Sequence, residues 1–205
     1  APAPRRHGAA GAAATAPPPL LPHRVHEVCG PGAHGFAAIQ AALHKGPVLW
    51  IGAGHAPERL FPPGLVPVLD PSRLIAVGTR SETDLLWATE EGLRAGSLGL
   101  VVASPDKPLS LTAGRRLQLA AEAGRTTGLL LVRAGAGSNA TETRWQAAPV
   151  LHADGVTDQS WQEWSLLKSK KGTNGTWILR WDAKARSLLV VSPPGKRTRL
   201  APLAL

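Results

Sequence analysis

Residues 24–43, RVHEVCGPGAHGFAAIQAAL, determine how the fold begins. Residues 24–29 are typical of a short β-strand, and residues 30–32 (Gly-Pro-Gly) indicate that this strand runs into a tight loop. In residues 35–43, apolar side chains recur at helical spacing. The segment therefore predicts a strand, a loop and a helix in succession, which is the first unit of an α/β fold.

The same unit recurs over the next hundred residues. Short apolar runs predict further strands at residues 47–51, 74–77, 99–103 and 128–132. One helix is predicted between the capping-box sequence that begins at Ser81 and Gly96, and another at residues 112–123. Continuous apolar strands that alternate with helices indicate a mainly parallel sheet covered on both faces.

The pattern changes after Gly135. Residues 144–149 are strand-like, residues 161–168 and 177–181 predict a hairpin around Asn174-Gly175, and residues 187–191 predict one more strand. The predicted fold class is α/β, with a parallel sheet sandwiched by helices and antiparallel strands added at the C-terminal end. We expect an Ala/Pro-rich disordered leader at 1–23, the core with its hairpin extension at 24–191, and a basic tail at 192–205.

Composition and charge narrow the function classes. The 205 residues carry a formal net charge of +9, and residues 160–205 hold nine Lys or Arg against two Asp or Glu. A clustered basic surface suits a polyanion or an acidic protein. The single cysteine, Cys29, excludes an intramolecular disulfide framework, and the seven scattered His have no metal-ligand spacing. No apolar run is long enough for a membrane helix, so we predict no membrane partner. We also predict that the chain binds no metal and no cofactor.

The loop after the first strand has part of a phosphate-binding motif. Gly30 and Gly35 have the spacing of the two glycines in G-x-x-x-x-G-K-[ST]. Phe36 stands at the Lys position, and Ala37 stands at the Ser/Thr position, so the side chains that neutralise phosphate and hold Mg²⁺ are missing. An ordinary turn between a strand and a helix is the alternative explanation of the two glycines.

Three stretches resemble the RecA ATPase core. Residues 25–31 are similar to its first strand and loop, residues 50–56 to its second strand and the loop with the catalytic Glu, and residues 100–104 to its Walker B strand. Gly54 stands at the position of that Glu, and Ala103 stands where the Mg²⁺-organising Asp belongs. With the two changes in the phosphate loop, this resemblance implies a degenerate RecA-like core that is not an enzyme.

A closer resemblance is to the ImuA family of degenerate RecA-like proteins related to SulA. The segments that carry it are His26-Glu27-Val28, residues 47–51 and 60–65, residues 84–88 with Glu90-Glu91, residues 115–120 (RRLQLA), Thr143-Arg144-Trp145, and the hairpin with Trp177 and Trp181. They cover about residues 25–182, and the ordered set is more specific than any single segment.

The resemblance implies a function in the bacterial SOS response. ImuA-type proteins act as non-catalytic accessory proteins in mutagenic translesion DNA synthesis, with ImuB, an inactive Y-family polymerase homologue, as the implied partner. RecA and an error-prone C-family polymerase are further implied partners. The expected location is the cytoplasm, at the nucleoid after DNA damage. A SulA-like inhibitor of the tubulin-like division protein and a stand-alone binder of single-stranded DNA are the alternatives.

Two groups of residues are predicted to contact a partner or DNA. Arg115 and Arg116 lie about 100° apart on the predicted helix, so they need not share a role. The second group lies in the basic C-terminal segment and comprises Trp164, Lys168, Lys170, Lys171, Arg180 and Arg186. Alternate tryptophans on a hairpin also fit cross-strand core pairs, in which case the basic residues form a solvated face. Trp50 and Trp87 are expected in the core.

Overall fold

A computed structural model describes residues 16–54, 60–135, 137–138, 140–150, 161–170, 172 and 174–192. The greater part of the predicted leader (residues 1–15), Lys171 and the tail from residue 193 lie outside these described residues. Residues 16–23 were expected to belong to the leader, but Leu20 is buried in the core, so the folded unit begins before residue 24.

The described chain forms one nine-stranded sheet with helices on its two faces. In chain order the elements are β1 (Val25–Cys29), α1 (Ala33–Leu43), β2 (Val48–Ala53), α2 (Pro62–Leu65), β3 (Leu74–Thr79), α3 (Glu82–Arg94), β4 (Leu100–Ala103), α4 (Leu111–Ala123), β5 (Thr127–Leu131), β6 (Thr143–Pro149), β7 (Trp161–Ser169), β8 (Gly175–Asp182) and β9 (Ser187–Ser192). The strand order is β3-β2-β4-β5-β1-β6-β7-β8-β9.

The sheet has a parallel part and an antiparallel part. The strands from β3 to β6 pair in parallel, and β7, β8 and β9 continue antiparallel to their neighbours. β6 is the junction, because it runs parallel to β1 and antiparallel to β7. The predicted α/β class, with a RecA-like parallel sheet between helices and C-terminal antiparallel strands, is confirmed.

Two apolar clusters lie on opposite faces of the sheet. One contains Phe36 and Ile39 of α1 together with the indoles of β6, β7 and β8. The other contains the inward side chains of α3 and α4, including Leu85 and Leu117. Neighbouring strand residues alternate between the clusters, as Val28 and Cys29 do in β1, because successive side chains of a strand point to opposite faces. α1 therefore covers one face, and α3 and α4 cover the other.

The helix starts follow from local sequence. α3 begins after Ser81, whose hydroxyl accepts a hydrogen bond from the backbone N–H of Asp84 at 3.1 Å, and α4 begins after Ser110, which accepts one from Ala113 at 3.1 Å. α1 begins at Ala33, two residues before the predicted start, and Gly32 caps it without a side-chain hydrogen bond. No helix in the described ranges is long and apolar enough to cross a membrane.

Candidate functional site

The loop between β1 and α1 is shorter than a phosphate-binding loop requires. Because α1 starts at Ala33, only residues 30–32 connect the strand to the helix. Gly30 has a φ of +94°, a conformation in which glycine is strongly favoured. The N–H of Gly32 donates to Ala147 O at 2.9 Å, and the N–H of Phe36 donates to Gly32 O at 2.9 Å. These amides are therefore used inside the protein rather than pointed at a ligand.

β6 and β7 lie directly against this loop. A Cβ atom at Gly30 would sit 2.5 Å from Ala147 O, and one at Gly32 would sit 2.8 Å from the backbone N of Ala148. A Cβ at Gly35 would collide with the side-chain amide of Gln162. The glycines are thus accounted for by close packing against the antiparallel extension.

The Lys position of the motif is part of the core. Phe36 is fully buried, with its ring centroid 4.3 Å from that of Trp164 and 5.7 Å from that of Trp145. Trp145 in turn lies 6.0 Å from Trp177, centroid to centroid. Ala37 is also fully buried. We refer to Phe36, Trp145, Trp164 and Trp177 as the aromatic cluster; it joins α1 to the antiparallel strands.

Gly54 and Ala103 stand at the two positions where the RecA resemblance predicts acidic side chains. Gly54 follows β2, and its N–H donates to Thr79 O at 2.7 Å. Ala103 ends β4, is fully buried, and pairs in register with Ile51 and Leu130. Ala103 belongs to the cluster beneath α3 and α4, whereas Phe36 belongs to the cluster on the α1 face. The two positions therefore lie on opposite faces of the sheet.

The predicted contact residues of the hairpin divide into buried and surface groups. Trp164 is 2% exposed and pairs across the hairpin with Trp177, so it offers no ring face to a base or a partner, and its prediction as a contact is corrected. The interpretation of these tryptophans as core pairs is the one that fits. Arg180 lies on the opposite strand face from Leu179 and Trp181, and Arg186 donates to Val68 O at 3.3 Å.

The two lysines that follow Trp164 hold a loop. Lys168 Nζ donates to Thr141 O at 3.0 Å and to Ser138 O at 3.3 Å. Burial lowers the pKa of Lys168, and the neighbouring Arg144 acts in the same direction. Lys170 Nζ donates to Ala140 O at 3.0 Å and remains about half exposed. Lys171 lies outside the described residues.

The two adjacent arginines of α4 lie on different sides of the helix. Arg116 Nη2 lies 2.6 Å from an oxygen of Glu90, whose other oxygen is 2.7 Å from Arg94 of the same helix, α3. Glu90 is itself buried, so this arrangement ties α3 to α4. Arg115 is exposed and lines a surface depression together with Lys170. The structure thus brings Arg115 and Lys170 together and leaves Arg116 to a structural ion pair.

Trp87 was expected in the core but is 65% exposed. It lies on α3 beside Leu86, and both residues line a second depression with Ala113 and Arg116 of α4. Trp87 was expected in the core because large aromatic side chains are usually buried, yet no described element of the chain covers its ring. The expectation was wrong because residue type alone does not reveal whether another element packs against that side of the helix.

Sequence reasoning also missed a buried polar pair in β1 and β6. The carboxylate of Glu27 is fully buried and accepts hydrogen bonds from Arg144 Nε at 2.9 Å and from the N–H of Ser138 at 2.7 Å. On the other face, His26 Nδ1 lies 2.7 Å from Thr143 Oγ1, and its Nε2 lies 3.0 Å from Leu21 O. Burial lowers the pKa of His26 to about 4. The sequence did contain a signal for these buried polar contacts, namely the polar dipeptide His26-Glu27 inside the otherwise apolar strand β1.

Comparison with known proteins gives the family. No family model matches the chain. Two curated relatives, each named Protein ImuA and found in two strains of Caulobacter vibrioides, are 34% identical to it over 152 residues, which covers 66% of this chain and 60% of each relative. The chain therefore spans less than two thirds of the length of the curated relatives it matches. By this similarity, the chain belongs to the ImuA family.

Proposed function

We propose that this chain is a non-catalytic accessory protein of SOS-induced mutagenic translesion DNA synthesis in bacteria, and that it acts by binding an ImuB-like inactive Y-family polymerase homologue. Its relationship to Protein ImuA supports a role in the mutagenesis system. RecA and an error-prone C-family polymerase are proposed as further members of the same assembly, which would form at the nucleoid after DNA damage.

One observation supports a non-catalytic role most directly. The position that would carry a phosphate-binding Lys holds Phe36, which is buried in the aromatic cluster. Phosphoryl transfer depends on positioned cations and a group that orients water. Because the strands β6 and β7 also cover the shortened loop, both the space and the charges that a nucleotide needs are replaced by core packing.

The structure disfavours the proposal of direct single-strand binding through the hairpin. Non-specific binding of single strands depends on aromatic faces on which bases stack, along a basic groove. Trp164, Trp177 and Trp181 are all buried against the α1 face. Their exclusion from the surface favours a protein partner for the remaining basic groups.

The direct test combines two measurements. The first is co-purification of the chain with the ImuB-like protein encoded in the same genome, and the second is the frequency of ultraviolet-induced mutation with and without the gene. Deletion of the gene should lower induced mutation and leave cell division normal. Capture should be independent of ATP. Absence of capture, or filamentation on overproduction with no change in mutation frequency, would contradict the proposal, and filamentation would favour the SulA-like alternative.

Point variants are the appropriate tools for mapping the contact. Removal of residues 160–205 would delete Trp164, Trp177 and Trp181 from the core, so a truncated chain that fails to bind would report unfolding. Substitutions of exposed residues leave the core intact and therefore report on the surface alone.

A further inference from the structure

The exposed side of α4 carries large apolar side chains that nothing in the described chain covers. Leu111 is 62% exposed and Leu119 is 64% exposed. They lie eight residues apart, which is about 12 Å along the helix axis, and Arg115 lies midway between them. We call Leu111, Arg115, Leu119 and the neighbouring Lys170 the α4 ridge. All four side chains border the same surface depression.

Arg115 gives the ridge a positive charge that the described residues do not neutralise. Arg115 forms no hydrogen bond or ion pair within the described ranges, and the first turn of α4 has no acidic residue. Of the nearby carboxylates, Glu122 pairs with Arg24 at 3.1 Å, and Glu142 is almost fully buried, 3.9 Å from Lys170. The partial positive charge of the helix N-terminus adds to this field near Leu111.

We infer that the α4 ridge is a docking surface for an acidic amphipathic segment of a partner protein. The segment would place two apolar side chains, about two helical turns apart, on Leu111 and Leu119, and its carboxylates on Arg115 and Lys170. This mode of binding, an amphipathic helix against an apolar groove, uses anchors at i, i+3, i+4 and i+7. The inference rests on the proposed function, since it assumes that the chain acts by binding another protein.

Three other occupants fit the ridge less well. Nucleic acid would need ring faces for its bases, but the ridge is aliphatic, and the exposed Trp87 lies on α3, whose other residues include Glu82, Asp84 and Glu91. A second copy of the chain would bring Arg115 and Lys170 against like charges if it docked through the same ridge. Residues 193–205 of this chain contain three basic and no acidic residues, so they too would be repelled.

The first arm of the test uses two 18-residue fluorescent peptides and measures anisotropy. One peptide has leucines at i, i+4, i+7 and i+11 with glutamates around them, and the other has lysine in place of every glutamate. The acidic peptide should bind and the basic peptide should not. The double substitution Leu111→Ser/Leu119→Ser and the single substitution Arg115→Glu should each weaken binding by about tenfold or more.

Matched controls separate the ridge from general effects of charge and polarity. Leu43→Ser removes an exposed leucine, 49% exposed, from α1 on the other face of the sheet. Lys184→Glu reverses an exposed charge in the turn between β8 and β9. Both controls should bind the acidic peptide as the unchanged chain does. Equal binding by ridge variants and controls, or no binding of the acidic peptide to the unchanged chain, would overturn the inference.

The second arm repeats co-purification of the ImuB-like protein with the same variants. Loss of capture in the ridge variants alone supports the inference and the proposed function together. Capture by every variant overturns the inference and leaves the proposed function standing. If the unchanged chain captures nothing, the proposed function fails, and the peptide arm alone decides on the ridge. A further outcome would be that the chain binds a single-stranded oligonucleotide or forms a dimer. If the ridge variants lose that binding, the inference is overturned, and the occupant of the ridge is nucleic acid or a second copy of the chain.

Discussion

Restoring the missing side chains of the phosphate loop should damage the fold instead of creating a nucleotide site. The variant is Phe36→Lys, alone and with Ala37→Thr, which together complete the G-x-x-x-x-G-K-[ST] sequence. In the structure both positions are fully buried, and Phe36 lies against Trp164 and Trp145. A lysine there would place an ammonium group in an aromatic core.

The cost has two parts. Loss of the ring from a packed core is worth roughly 3 kcal/mol, the lower end of the range for truncating a buried Phe, because the methylenes of lysine fill part of the space. Burial must also lower the lysine pKa from about 10.4 to below 7, which costs about 4–5 kcal/mol at neutral pH. The sum, about 7–8 kcal/mol, is comparable to the whole stability of a typical domain, about 5–15 kcal/mol.

Urea unfolding followed by tryptophan fluorescence measures this loss, because two indoles contact the substituted ring. The control Phe36→Leu should lose only about 1–1.5 kcal/mol. Since the neutral form of lysine is the one that fits the core, the deficit of Phe36→Lys should shrink by about 1.4 kcal/mol per pH unit as the pH rises from 7 toward 10. A Phe36→Lys chain with unchanged stability that binds ATP would refute the argument.

Three more predictions follow from buried polar groups and close packing. Because burial lowers the pKa of His26 from 6.5 to about 4, unfolding takes up a proton between these pH values, and His26 should lower the free energy of unfolding by about 3 kcal/mol as the pH drops through this window. His26→Gln should remove this contribution and leave that of His44, whose pKa burial also lowers. Arg144→Met should cost about 3 kcal/mol because it removes the guanidinium that donates to the buried Glu27 carboxylate and leaves Lys168 as a cation near it; a double-mutant cycle with Glu27→Gln should recover part of that loss. Gly114→Ala should destabilise the protein in thermal unfolding despite a helix-propensity gain of about 1 kcal/mol, because the added Cβ would lie 2.7 Å from the Cβ of Ala140; a raised melting temperature would contradict this.

The order and type of the strands and helices could be predicted because burial follows periodicity. Runs such as residues 99–103 are apolar throughout, since β4 is covered on both faces. The start of α1 was missed by two residues because the apolar side chains at helical spacing begin only at Phe36, whereas the helix also includes His34 and the buried Ala33. That difference of two residues decides whether a phosphate loop has room.

The surface was harder to predict than the core. A sequence gives the charge of Arg115 and Arg116 but not their neighbours, and only the packing of α3 against α4 places Glu90 within reach of Arg116. In the same way, Lys168 of β7 was predicted to contact a partner or DNA, yet it donates to backbone carbonyls of the loop that precedes β6. Contacts between residues distant in sequence decide which charges are left for a partner, and local patterns do not contain them.

The proposed non-catalytic role and the antiparallel extension have one physical basis. Phe36, at the predicted position of the phosphate-binding Lys, belongs to the aromatic cluster, and the same rings attach β6, β7 and β8 to α1. Reversal would need charges at Phe36 and Ala103, which lie in separate apolar clusters on opposite faces of the sheet. Each reversion would meet its own desolvation cost without the other to compensate it. Substitutions on the exposed helices meet no such cost, and the proposed docking surface, the α4 ridge, lies there.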